Sequence, residues 1–153
     1  MRTLIAIAAV GALASTAAFA ASEQTPWIGV RGKALEVMPS LVCGSVPCTA
    51  ATPAELANPP VSDAEAQVIY QRGVYSGVSE HCGLDWQSRN YVPMMGYWRG
   101  GAHKNVRQMA LIGAIHGIAQ GMAKTAMGRI GPCSAELKAD MDRRLDFRAP
   151  ASR

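Results

Sequence analysis

Apolar residues recur at helical spacing along the second half of the chain and lose that rhythm in the first. From Asn105 to about Arg129, Leu111, Ile115, Ile118 and Met122 share one face, and Met109, Ile112 and Ala119 cover much of the flank. Gly113, Gly117 and Gly121, spaced four apart in "GAIHGIAQG", occupy the opposite face. A helix apolar on nearly every side belongs at the centre of a helical assembly. A narrower stripe, Leu137, Met141 and Leu145, marks "SAELKADMDRRL" as a last helix lying across that core.

The ends of these helices are written in polar residues. "SDAE" at 62 to 65 is a capping box in which Ser62 caps and Glu65 reaches back; the helix it opens runs to about Cys82, where Gly83 supplies a left-handed stop. Asp85 can cap a second helix from Trp86 to about Trp98, bent or restarted at Pro93. Asn105 and Gln108 open the third, "GPC" ends it, and Ser134 caps the fourth. The expected fold is all-α: a small disulfide-stapled bundle of about four helices within a helical domain at 61–147, then a frayed tail at 148–153.

Residues 21–60 hold six of the nine prolines and show no sustained helical period. They read as an irregular Pro-rich arm with a short cysteine loop, a short extended pair around "WIGVR" and "ALEVM", and a linker in "TPAELANPP". The first stretch, 1–20, has Arg2, a long run of small apolar residues and Ala18-Phe19-Ala20 at its end, the pattern of a cleaved signal peptide.

An export signal changes what the four cysteines mean: in an oxidising compartment they read as two disulfides. Gly44 and Pro47 favour a turn closing Cys43 onto Cys48, which leaves Cys82 for Cys133. The paired C-x-x-C spacing of a thiolate metal site is absent. The formal net charge of +4, with both signs intermixed, is too weak to argue for nucleic acid. After signal cleavage no stretch makes a convincing membrane span, so the expected location is the periplasm or the exterior.

Candidate chemistry gathers around the glycine-spaced helix. Interior glycine costs up to about 1 kcal/mol relative to alanine, so three in register suggest close backbone approach, and Gly73 and Gly77 on the first helix offer a matching face. The two helices are expected to cross at Gly73, Gly77, Gly113, Gly117 and Gly121. At the edge of that face stand His116 and Gln120, with Glu80 on the same side of the first helix. A buried polar cluster of Glu80, His116 and Gln120 follows, in which the carboxylate would raise the histidine pKa.

Trp86, Arg89, Tyr97, Trp98 and Arg99 combine the residue types that partner surfaces favour. Met94, Met95, Met109, Met122, His103 and His116 are copper-ligand types, yet no M-x-x-M or H-x-H array is present and core methionine is the simpler role. Phosphate loops, nucleophile elbows, H-E-x-x-H and EF-hand loops are absent, and no catalytic residue, metal or cofactor is assigned. The sequence points to a small exported helical protein with a non-catalytic role in the bacterial envelope, either structural or binding a protein partner. A copper or small-ligand binder centred on His116 is the second reading. A periplasmic stress chaperone or an enzyme of unknown type is the third.

Overall fold

The computed structural model describes residues 25–150. The signal-peptide reading at 1–20 lies outside them. The chain is mostly helical and carries two disulfides, as expected of an all-α protein. Among the described residues there are six α-helices: α1 (Pro26–Glu36), α2 (Pro53–Ala57), α3 (Asp63–His81), α4 (Val92–Gly96), α5 (Val106–Ile130) and α6 (Ala135–Arg144). A two-residue hairpin, β1 (Val42–Cys43) with β2 (Val46–Pro47), is the one sheet among the described residues.

Three capping boxes set helix starts. Ser62 with Glu65 opens α3, Asn105 with Gln108 opens α5, and Thr52 with Glu55 opens α2 inside the stretch expected to be linker. Ser134 accepts from the Leu137 N–H at 3.2 Å to start α6.

Over the described residues 25–60 the expected irregular arm is not what is found, and "WIGVR" and "ALEVM" do not form an extended pair. Residues 26–36 are helical, with proline in the first turn, where its missing N–H costs nothing. Val30, Ala34, Leu35 and Met38 are buried at helical spacing and enter the same core as Ile69, Leu111, Ile112 and Ile115. Arg31 ties α1 to the start of α3 through the Val61 carbonyl (2.9 Å) and Asp63 (2.6 Å). Arg107 on α5 grips Glu55 through two bonds, at 2.6 and 2.8 Å, and also the Thr49 and Ala50 carbonyls. That grip holds the Glu55 carboxyl down at about 2.

The closest helix packing is α3 on α5. A Cβ added at Gly73 would stand 2.5 Å from the His116 carbonyl oxygen and 2.7 Å from Ala119 Cβ; one at Gly77 would collide with the Gln120 carbonyl and stand 2.8 Å from Ala123 Cβ. Only hydrogen fits at either place. The small residues facing them on α5 are Ala119 and Ala123, themselves four apart. Gly113, Gly117 and Gly121 take no part in the crossing: Gly113 looks toward Tyr91 and Met95 at 3.9 Å, and around the exposed Gly117 and Gly121 there is open space. The expected crossing is thus corrected on α5, where the rotation that buries Ile112, His116 and Ala119 necessarily turns the three glycines away.

Between α3 and α5 lies a continuous turn of chain at 87–101, α4 flanked by wide π turns at Gln87–Tyr91 and Tyr97–Gly101. Pro93 accounts for the first. Lacking an N–H, it cannot bond Arg89 O, and the helix widens so that Val92 N–H reaches back five residues to Gln87 O. The Arg89 carbonyl left free accepts the Phe147 N–H at 2.9 Å and so docks the end of the chain after α6.

The two disulfides join Cys43 to Cys48 and Cys82 to Cys133. The second links the end of α3 to the loop between α5 and α6.

Candidate functional site

The π turn inserts Asn90 into the interface between α3 and α5, and there it organises the buried polar residues. Ser76 and Asn90 are fully buried and His116 is 1 % exposed. Arg72, half-buried on α3, donates its Nε–H to Asn90 Oδ1. Asn90 Nδ2 donates to the Arg72 carbonyl and to Ser76 Oγ, both at 2.8 Å. Ser76 Oγ lies 3.0 Å from His116 Nε2.

These bonds have one consistent direction. An arginine side chain only donates, so the amide of Asn90 must turn its oxygen to Arg72 and its NH2 to Ser76. Ser76 already accepts from Asn90, and among the described residues its hydroxyl has no bonded acceptor other than His116 Nε2, so we assign the hydroxyl as the donor of that pair. On that assignment Nε2 accepts and the imidazole is neutral with its proton on Nδ1. Burial pushes the His116 pKa down to about 4, and the nearby Arg72 charge pushes the same way.

Aromatic rings close the site. Tyr91 lies 4.8 Å and Trp86 6.3 Å, centroid to centroid, from the His116 ring. Neither Ser76 nor His116 lines any of the five best-formed surface cavities among the described residues. A hydroxyl donating to imidazole is the arrangement of a serine–histidine pair, but here no substrate carbonyl can reach the hydroxyl and the imidazole is too weak a base near neutrality.

Of the expected cluster of Glu80, His116 and Gln120, the Glu80–Gln120 bond forms and the Glu80–His116 contact does not. Glu80 bonds Gln120 at 2.8 Å and Lys124 at 2.6 Å, one turn beyond the histidine, and these partners hold its carboxyl below the ordinary range. His116 instead meets Ser76, and its pKa moves opposite to the expectation. Ser76, Asn90 and Arg72 were missed by residue type alone. Ser76 had a signal, because it continues the buried stripe Ala66, Ile69, Gly73 on α3.

The nominated partner surface is largely turned inward. Trp98 is 3 % exposed and its indole N–H is buried without a partner. Trp86 packs on Tyr91, and Tyr97 lies between Trp98 and Phe147. Arg89 is held by Asp142 at 2.5 Å and Asp146 at 2.7 Å. Arg99 alone of the five is exposed. It stands on the rim of a groove of about 400 Å³ lined by Val42, Gly44, Met95, Val106 and Met109.

Of the copper-ligand types, Met95 and Met109 line one groove, and no histidine among the described residues lines it. Met94 and Met109 are in the core, and Met122 and His103 are exposed. Met109 and Met122, thirteen residues apart on one helix, are separated by about 20 Å at 1.5 Å per residue. Among the described residues no group of three or more His, Cys, Asp or Glu side chains converges on a point.

No known protein family, curated protein or solved structure matches the chain.

Proposed function

We propose that this chain is a small exported protein of the bacterial envelope that works by binding a protein partner or by a structural role, without catalysis. The enclosure of His116 supports this reading most. The side chain with the best claim to chemistry is sealed by Trp86 and Tyr91, and its free nitrogen lone pair is taken by Ser76. Two disulfides are compatible with a periplasmic or extracellular location, and no described helix is long and apolar enough to cross a membrane.

Partner contact falls to the groove below Arg99. Val42 and Val106 are 64 % and 61 % exposed there, apolar area that a partner would cover with gain. The test uses the oxidised protein as bait in envelope extract beside Val106→Asp and Arg99→Glu. A partner held by the parent and released by both variants, at unchanged melting temperature, is the expected result. Retention of every captured protein by both variants would refute this surface.

A further inference from the structure

We infer that the cleft between α3 and α6 is a binding site for a phosphate monoester group. It shares no lining residue with the groove at Arg99, and it goes beyond the partner-binding reading. The cleft encloses about 410 Å³ and draws Gln71, Arg72 and Tyr75 from α3 and Arg143, Arg144 and Arg148 from the end of the chain.

Arg72 makes the case. A half-buried guanidinium ordinarily finds a carboxylate, because a desolvated charge is costly when left uncompensated. Here the partners of Arg72 are neutral oxygens: Asn90 Oδ1, the Leu145 carbonyl and the Arg144 carbonyl at 3.1 Å. Among the described residues no carboxylate lies within 4.0 Å of it. Three of its five N–H donors serve these oxygens, and among the described residues the other two have no partner. The Tyr75 ring, 5.2 Å from Cζ, and the Phe147 ring, 5.7 Å away, fix the plane of the fork.

The other cations face the same space. Arg143 and Arg144 share Asp140, at 3.1 and 2.9 Å, and each keeps donors to spare. Asp146, the one carboxylate among the described lining residues, is paired at 2.7 Å with Arg89, which also holds Asp142. With Asp140, Asp142 and Arg89 included, five guanidinium groups stand against three carboxylates, and this excess of two cations matches a dianion with several acceptor oxygens better than a single carboxylate ligand. The monoester group could belong to a soluble molecule or to a lipid headgroup such as phosphatidic acid, and the chemistry of capture is the same.

The experiment titrates the oxidised protein with inorganic phosphate by calorimetry, and separately floats it with phosphatidylcholine vesicles with and without phosphatidic acid. The comparison is Arg143→Gln/Arg148→Gln, two exposed positions whose loss leaves the fold intact, verified by an unchanged melting temperature. Binding of phosphate weakened about tenfold or more in the double variant establishes the site with a soluble source. Flotation only with phosphatidic acid, lost in the double variant, establishes it with a lipid source. Absence of both, or binding that the double variant leaves unchanged, overturns the inference.

Discussion

The Ser76 hydroxyl sits 3.0 Å from Nε2 of His116, forty residues further along the chain, and among the described residues no other bonded acceptor for its hydrogen is present. The Asn90 amide donates into the same oxygen at 2.8 Å, and Arg72 orients that amide from behind. A one-way line of donation therefore runs from a fixed cation to a neutral imidazole. Such a line specifies how α3, the π turn and α5 fit together, because each link satisfies a group that would otherwise be buried alone.

Ser76→Ala removes the middle of that line. It leaves an Asn90 N–H and His116 Nε2 without partners in a site that admits no substrate and has little room for water. The expected cost is about 1–3 kcal/mol in urea unfolding at pH 7. A change below about 0.5 kcal/mol would show that the line contributes no stability.

Stability should fall with pH in a window set by His116. Burial first, and the Arg72 charge second, place its folded pKa at about 4 against the ordinary 6.5. Between those values the unfolded chain takes up a proton that the folded chain refuses. The contribution is complete above 6.5 and is lost as pH falls toward 4. From pH 7 to pH 5 the loss is about 2 kcal/mol at 1.36 kcal/mol per unit. The carboxyls held low by their partners, Glu55, Glu65 and Glu80, contribute stability that is present at neutral pH and starts to be lost only as pH falls below about 4.5. His116→Gln should flatten the stability curve over pH 7 to 5, and an equally steep curve in that variant would assign the effect elsewhere.

The helix crossing separates the glycines into two sets with opposite responses to alanine. Gly73→Ala and Gly77→Ala press a methyl into the α5 backbone and should destabilise by about 1–3 kcal/mol. Gly117→Ala and Gly121→Ala meet open space and should stabilise α5 by up to about 1 kcal/mol through helix propensity. Thermal unfolding of the four variants checks both signs.

The Cys82–Cys133 bridge closes a separation of 51 residues and the Cys43–Cys48 bridge one of 5. Chain entropy assigns them about 4 and about 2 kcal/mol respectively. Cys82→Ala/Cys133→Ala should therefore lower the urea midpoint more than Cys43→Ala/Cys48→Ala. The reverse order would mean that the small hairpin does more than close a loop.

What was legible in the sequence was local. The caps at Ser62, Asn105 and Ser134 announced helix starts because their chemistry lies within four residues. α1 was obscured by Gly29 and Gly32 within one short segment, although Trp27, Val30 and Ala34 carry its period and Met38, just past its end, continues it. The side of α5 that meets α3 was not legible, because Ala119 and Ala123 are as well spaced as the three glycines, and only the packing of Ile112 and His116 decides between them. The partner of His116 depended on Pro93, whose missing N–H widens the preceding turn and carries Asn90 inward. That effect crosses elements, and residue spacing does not display it.

The most direct measurement is an NMR titration of the imidazole nitrogens of His116 in the oxidised protein, assigned by comparison with His116→Gln. The structure predicts one neutral tautomer, protonated on Nδ1 with Nε2 as acceptor, unchanged from pH 8 down to about pH 5. A midpoint near or above 6.5, or a proton on Nε2, would contradict the line of donation from Arg72 through Asn90 and Ser76.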